Sequence, residues 1–258
     1  MATTVVPGTW PSSGTHGTPQ TGNPPESLEH LPGIRWLALD RPGYGPSTPR
    51  AGRNIASLAD DVAAVADAFG VDKFAVLGAS GGGPHALACG ALLPERVVGV
   101  AAVASPAPYG ADGLDWFAGM AAAGAAELHA AVAGRAALTA HLTTVEFDPD
   151  VFTEADFAML AGDWAWLGRN AGQAMTDGMA GFVDDDLALV TPWGFDPADV
   201  VVPTLLMHGV RDRMVPSEHS EWLANRARPA ELWLKPTDGH VSVLTHSEDA
   251  LNWLRERG

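Results

Sequence analysis

The stretch that decides the fold reads Val76-Leu77-Gly78-Ala79-Ser80-Gly81-Gly82-Gly83-Pro84-His85. An apolar run ends there at a G-x-S-x-G pattern, and an Ala-rich helical pattern follows it at once. A strand, a sharp turn and a helix in that order are the setting in which a serine nucleophile is exposed at the edge of a sheet. The stretch therefore predicts a nucleophilic Ser80, whereas the simpler interpretation is a glycine-rich turn with a capping serine.

Strand and helix patterns alternate on both sides of this turn. Apolar runs of strand length lie at 34–40, 74–79, 97–104, 202–207 and 231–234, and helical patterns lie at 57–69, 84–92, 217–226 and 247–255. This alternation is typical of a parallel sheet with right-handed crossover connections. We therefore expect an α/β fold in which a mostly parallel central sheet is flanked by helices.

The strand pattern is absent between the two halves of this alternation. Helical candidates there are 114–122, 125–142, 153–160 and 171–182. We expect residues 1–107 and 201–258 to form the core and residues 108–200 to form an inserted helical lid. Many aromatic and methionine side chains of the lid are expected to pack on one another, while Trp116 and Trp164 are candidates for an apolar substrate pocket. The acidic run 184–186 is expected to be a solvated or helix-capping turn.

Composition narrows the class of partner. The formal charge of −16, from 15 basic and 31 acidic side chains, opposes binding to nucleic acid and to anionic membrane surfaces, so a small-molecule substrate is expected. The single Cys89 excludes an internal disulfide and is compatible with a reducing compartment. Since neither a signal peptide nor a membrane span is recognisable, a cytoplasmic location is expected. The composition does not predict an oligomeric state.

A serine nucleophile needs a base, and the base needs an acid that orients it. In a parallel sheet, both must come from loops at the same carboxyl edge, after later strands. Asp212 follows the run at 202–207, and His240 follows the run at 231–234. The order Ser80, Asp212, His240 is the one expected of a catalytic triad in this architecture. Such a triad requires neither a metal nor another cofactor, and none is expected.

Several motifs resemble those of the α/β-hydrolase fold family, in its lidded serine esterase-like branch. They are Asp40-Arg41-Pro42-Gly43-Tyr44-Gly45, the elbow Gly78–Gly82, the G-x-x-D-x-x-V-P loop of Asp212, the loop Asp238-Gly239-His240, and His16-Gly17-Thr18-Pro19. The last resembles the family's oxyanion loop. The resemblance implies that Ser80 attacks a carbonyl carbon, that His240 transfers the proton, and that the N–H groups of Gly81 and Thr18 hold the oxyanion.

The resemblance implies a serine hydrolase acting on a small, mostly apolar carboxylic ester or related acyl compound. Amide, lactone or carbon–carbon cleavage would use the same residues, as would a metal-free peroxidase or lyase, and a non-catalytic ligand-binding member of the fold is a further alternative. His85, one turn beyond the nucleophile, is a candidate for contact with the substrate or for a structural role.

The amino-terminal stretch departs from the family pattern. Residues 1–15 leave no room for the family's opening strands, and only Thr3–Val6 is strand-like. We expect the opening strands to be shortened or missing: either Thr3–Val6 supplies a short central strand with an extended loop after it, or the amino terminus is truncated.

Overall fold

A computed structural model describes residues 2–7, 28, 33–45, 47–168, 178–228 and 230–257. Its sheet consists of β1 (Ala2–Pro7), β2 (Ile34–Leu39), β3 (Phe74–Ala79), β4 (Val97–Val103), β5 (Thr204–Gly209) and β6 (Ala230–Lys235). The strand order in this part of the chain is β2-β1-β3-β4-β5-β6, and every neighbouring pair is parallel. The predicted parallel α/β architecture is thus confirmed.

The amino-terminal strand lies inside the sheet. Strand β1 pairs along its whole length with β2, and Thr4 lies opposite Ala75 of β3. The strand-like residues Thr3–Val6 therefore supply the central strand between β2 and β3, one of the two arrangements that the sequence left open. Pairing on both sides satisfies the backbone groups that a missing strand would leave unpaired.

The strands are covered on both faces, which explains their continuous apolar runs. Along β4, Val100 and Ala102 belong to one apolar cluster, while Ala101 and Val103 belong to another on the opposite face. Successive strand side chains point to opposite faces, so these two clusters are the two layers of the core. The helices that flank the sheet are α1 (Leu58–Ala68), α2 (Gly82–Leu92), α7 (Glu218–Arg226) and α8 (Ser247–Arg255).

The segment between β4 and β5, residues 104–203, is helical and contains no strand among its described residues. It is called the inserted segment below. Its helices are α3 (Ala122–Val132), α4 (Arg135–Leu142), α5 (Glu154–Ala161) and α6 (Ala180–Val190). Helix α5 begins as predicted, because Thr153 and Asp156 form a capping box. The predicted helix 125–142 is instead two helices, separated at Gly134, whose φ of 106° a helix does not accommodate.

Two further expectations for this segment were wrong. Residues 114–121 of the predicted helix 114–122 are not helical, and 116–119 form turns instead. The acidic run 184–186 lies inside α6 and is buried, because Arg41, Arg53 and Arg135 pair with its first two carboxylates. Most of the predicted helix 171–182 lies outside the described residues. None of the helices in the described part of the chain is long and apolar enough to cross a membrane.

Candidate active site

Ser80 occupies the sharp turn between β3 and α2. Its φ is 51°, a left-handed conformation that is unfavourable for a residue other than glycine and is often found at functional sites. Its N–H donates to the Val103 carbonyl at 2.8 Å, and its carbonyl accepts from the Gly83 N–H at 2.9 Å. A Cβ at Gly78 would lie 2.2 Å from the Gly82 carbonyl oxygen, so the elbow requires glycine there.

Ser80, His240 and Asp212 form a continuous hydrogen-bonded chain. Ser80 follows β3, Asp212 follows β5 and His240 follows β6, so all three lie at the carboxyl edge of the parallel sheet. Ser80 Oγ is 3.0 Å from His240 Nε2, and His240 Nδ1 is 2.7 Å from Asp212 Oδ2. All three residues are buried. The arrangement has the geometry that nucleophile, base and orienting acid require.

The Asp212 carboxylate determines which nitrogen of a neutral His240 ring faces the serine as an acceptor. Burial raises the pKa of Asp212, but the charge of His240 and hydrogen bonds from His208 and His240 outweigh it, and the net shift is downward. Burial lowers the pKa of His240, but the charge of the Asp212 carboxylate and its hydrogen bond outweigh burial. The net pKa of His240 is therefore above its usual value. Because ionised Asp212 only accepts, Nδ1 of His240 donates to it, which leaves Nε2 to accept from the Ser80 hydroxyl.

The Asp212 carboxylate is held from both sides. Its Oδ1 accepts from the N–H groups of Met214 and Val215 at 2.8 and 2.9 Å. His208 Nε2 donates to the Val215 carbonyl at 2.7 Å and lies 3.2 Å from Asp212 Oδ2. Ser220 Oγ is 2.7 Å from His208 Nδ1 and completes the support of this ring. His208 thus orients the Asp212 loop.

A carboxylate from the inserted segment fixes the loop that carries His240. Asp156 Oδ1 accepts from the N–H groups of Val241 and Ser242 at 2.9 and 2.7 Å, and from Ser242 Oγ at 2.8 Å. Its Oδ2 accepts from the backbone and the hydroxyl of Thr153 at 2.9 and 2.8 Å. Asp156 is 1% exposed and joins α5 to the residues next to His240. Sequence reasoning missed this residue, because its only sequence signal is that of a helix cap.

The motif Arg41-Pro42-Gly43-Tyr44 binds the inserted segment to the core. Asp185 of α6 accepts from Arg41 Nε at 3.0 Å and from the Tyr44 hydroxyl at 2.8 Å, and it also pairs with Arg53. A Cβ at Gly43 would lie 3.0 Å from Gly181 Cα, so the close approach of loop and helix depends on glycine. This contact positions α6 beside Ser80.

A cavity of about 90 Å³ opens beside Ser80. Its described lining is mostly apolar and consists of Ser80, Gly81, His85, Pro106, Trp116, Met120, Gly124, Glu127, Leu128, Val151, Asp185, Asp186, Leu189, Met214 and Val215. Gly81 is the N-cap of α2, where backbone N–H groups and the helix dipole favour a negative charge. The acidic side chains of this lining were not anticipated, since the sequence favoured an apolar pocket.

The structure brings together part of the predicted binding set. His85 and Trp116 line the cavity. His85 is also structural, because its Nδ1 bonds to the Ile55 carbonyl at 3.1 Å and burial lowers its pKa to about 3. Trp164 is not among the lining residues and is buried in the apolar cluster that contains Val151. The oxyanion candidate Thr18 lies outside the described residues.

Among the residues that the structure describes, no group of three or more histidine, cysteine, aspartate or glutamate side chains is arranged to hold a metal ion. The run 184–186 instead disperses its carboxylates, since Asp184 pairs with Arg135 while Asp185 faces the opposite loop.

Comparison with known proteins shows which sequences and folds this chain is similar to. The family model of the alpha/beta hydrolase fold matches residues 15–247. The dihydrolipoyllysine-residue acetyltransferase component of the acetoin cleaving system of Cupriavidus necator is 43% identical over 75 residues, which are 29% of this chain and 20% of that protein. The chain therefore matches only about a fifth of the length of this curated relative.

Solved structures resemble the chain over nearly its whole length. A thermophilic esterase from Thermogutta terrifontis has a TM-score of 0.69 at 20% identity, covering 99% of this chain and 89% of that one. The enol-lactonase from Burkholderia xenovorans has a TM-score of 0.64 at 20% identity, with coverage of 99% and 89%. A bromoperoxidase from Bacillus anthracis has a TM-score of 0.69 at 20% identity, with coverage of 99% and 92%. At these identities the likeness shows a shared fold.

Proposed function

The chain belongs to the α/β-hydrolase family, and on that premise we propose that it is a serine hydrolase that cleaves a small carboxylic ester or related acyl compound. The observation that carries the proposal is the hydrogen-bonded chain from Ser80 Oγ through His240 to Asp212, with separations of 3.0 and 2.7 Å. A serine hydroxyl becomes a competent nucleophile when a base takes its proton during attack. The left-handed turn at Ser80 presents that hydroxyl to the cavity.

In the proposed reaction, Ser80 Oγ attacks the substrate carbonyl carbon while its proton passes to His240 Nε2. The ionised Asp212 stabilises the imidazolium that forms. Collapse of the tetrahedral intermediate returns the proton to the leaving oxygen and leaves an acyl group on Ser80. Water then attacks this ester with His240 again acting as base, which regenerates the serine.

The oxyanion of the intermediate needs donors that are already in place. We assign one donor to the N–H of Gly81, which lies directly after Ser80 at the start of α2 and lines the same cavity. The family resemblance assigns the second donor to the N–H of Thr18. Removing one such donor typically costs about 3 kcal/mol of transition-state stabilisation.

We assign the role of a lid to residues 108–200. Side chains of α3 and α6, together with Trp116 and Met120, form the wall of the cavity that faces Ser80. A wall of this kind excludes water from the acyl intermediate and limits the size of the acyl or alcohol group. A cavity of about 90 Å³ favours short chains, so acetate and butanoate esters should be cleaved faster than octanoate esters.

Labelling with a fluorophosphonate tests this function. Covalent modification should occur on Ser80, should be located by peptide mass spectrometry, and should be lost in Ser80→Ala and His240→Ala. His246→Ala is a matched control, because His246 bonds to Asp238 rather than to the serine and should leave labelling intact. Folded wild-type protein that is not labelled would instead support the non-catalytic alternative.

A further inference from the structure

Three consecutive aspartates of α6 have three different environments. Asp184 forms an ion pair with Arg135, and Asp185 is paired with Arg41 and Arg53. Asp186 is 6% exposed, and its Oδ2 atom is buried without a hydrogen-bond partner in the described part of the chain. Successive helical residues point about 100° apart, so the three carboxylates face different neighbours. Asp185 and Asp186 both line the cavity beside Ser80, and of these two Asp186 is the one that forms no ion pair with a described residue.

A second carboxylate lies on the same cavity wall. Glu127 of α3 lines the cavity together with Asp186. It also lines an adjoining groove of about 280 Å³, whose described walls add Glu146 and Asp148. No described lysine or arginine lines either space. The polar side chains that the two described linings share or add are therefore mainly carboxyl groups.

A buried carboxylate without a partner is costly unless a ligand supplies the missing positive charge or donor. We propose that Asp186 and Glu127 form a subsite for a protonated amine, so that the substrate is a small acyl compound that carries an ammonium group. This inference rests on the proposed hydrolase function. The sequence led us to expect a mostly apolar substrate, and the inference changes this to an amphipathic one. The ammonium N–H groups would donate to the two carboxylates, while the apolar lining contacts the carbon chain.

The electrostatics of the cavity agree with this assignment. Burial raises the pKa of Asp186 well above its usual value, and the charges of Glu127 and Asp185 raise it further. Burial raises the pKa of Glu127 to about 7. A bound cation would favour the ionised form of both groups and would lower both pKa values. The net charge of −16 would also draw cationic substrates toward the protein.

The test compares esters that differ only in this charge. The first pair is p-nitrophenyl 3-aminopropanoate and p-nitrophenyl butanoate, which exchange an ammonium for a methyl group on the acyl side. The second pair, 2-(dimethylammonio)ethyl acetate and 3-methylbutyl acetate, places the charge and its N–H donor on the alcohol side. The measured quantity is the ratio of kcat/KM for the cationic ester to that for the neutral ester, after correction for spontaneous hydrolysis, in wild type, Asp186→Asn and Glu127→Gln.

We expect the wild-type ratio to exceed one for at least one pair, and to fall about tenfold in Asp186→Asn. Glu127→Gln should lower the ratio in the same direction, and it carries the test if Asp186→Asn does not fold. Glu95→Gln removes an equal charge from the exposed surface and should leave the ratio unchanged.

A corrected wild-type ratio of one or less for both pairs would overturn the subsite, and so would a ratio that neither carboxylate variant changes. Fluorophosphonate labelling separates the two proposals. If Ser80 is labelled and the ratios do not move, the subsite alone is wrong. If folded wild-type protein is not labelled, the hydrolase function is wrong.

Discussion

Replacing Asp212 by asparagine probes the proposed triad most directly, because the surroundings determine how the new amide must lie. The carboxylate Oδ1 accepts from the N–H groups of Met214 and Val215, while Oδ2 faces His240 Nδ1 and His208 Nε2. An amide has one accepting oxygen, so it satisfies only one of these two sides. With its oxygen toward the two backbone donors, its NH₂ group points at His240.

That orientation has a direct consequence for the base. The NH₂ group of the new asparagine donates to His240 Nδ1, which moves the ring proton to Nε2 and leaves Nε2 unable to accept from Ser80. The reverse orientation leaves two backbone N–H groups facing an NH₂ group, at a cost of about 1–3 kcal/mol each. The resulting 2–6 kcal/mol, at about 1.4 kcal/mol per tenfold, disfavours the productive form by about 30-fold to 10⁴-fold. Loss of the charge that stabilises the imidazolium adds to this, and typical losses for the same change in a triad are about 10⁴-fold.

We therefore expect Asp212→Asn to lower kcat for p-nitrophenyl acetate by about three to four orders of magnitude. The urea midpoint should change little, since the amide oxygen keeps both backbone hydrogen bonds. Steady-state kinetics and urea denaturation on the same preparation measure the two effects. Asp150→Asn is a control, because it changes an exposed carboxylate of the inserted segment. Turnover within tenfold of wild type in folded Asp212→Asn would show that another group orients His240.

Three more outcomes follow from the contacts of the site. Because Asp212 raises the pKa of His240 above 6.5, kcat/KM should rise with pH through a midpoint above 6.5, and Asp212→Asn should lower that midpoint. Asp156→Asn should lose at least two of its five hydrogen bonds, which lowers the free energy of unfolding by about 2–6 kcal/mol, measured in urea. Gly78→Ala places a Cβ 2.2 Å from a backbone carbonyl oxygen and should cost about 3 kcal/mol or more of stability.

A specific result would contradict each of these three predictions. A kcat/KM profile that stays flat from pH 5 to pH 9 would show that His240 is not the base whose ionisation limits the reaction. Asp156→Asn also removes a charge that raises the pKa of His240, so it should lower the midpoint of the kcat/KM profile. If that midpoint does not fall, the role of Asp156 is structural only. Gly124→Ala is the control for Gly78→Ala, since its Cβ would meet open space. Equal stability of the two alanine variants would contradict the steric argument.

The sequence predicts the elbow turn and the three side chains Ser80, Asp212 and His240, because the features involved are local. Gly78, Ser80 and Gly82 lie within one turn, and Asp212 and His240 directly follow strands that the apolar pattern reveals. Parallel strands bring their carboxyl ends to one edge, so knowing the strands is enough to bring the three side chains together. The structure places them within hydrogen-bonding distance, and their catalytic roles stay a prediction until labelling and kinetics test them.

The inserted segment is less predictable from local pattern, because its polar residues are paired across long sequence separations. The run 184–186 resembles a solvated turn when it is considered alone, and its burial depends on Arg41 and Arg53, which are more than 130 residues away. Trp164 and Trp116 have similar sequence settings, yet only Trp116 reaches the cavity. The packing of several helices determines which tryptophan lines the cavity, and no short sequence motif predicts it.

The carboxylates of the inserted segment differ in their partners, and this difference distinguishes those that stabilise the site from the one that is available to a ligand. Asp156 receives five hydrogen bonds and holds the loop of His240, whereas Asp185 is neutralised by two arginines and joins α6 to the core. Each of these charges is compensated, so each stabilises the site without attracting a ligand. Asp186 lines the cavity as Asp185 does, but its Oδ2 has no hydrogen-bond partner among the residues that the structure describes. Because a structural role would provide a compensating partner and the described residues provide none for Asp186 Oδ2, Asp186 is the one of these three carboxylates whose environment a substrate is expected to complete.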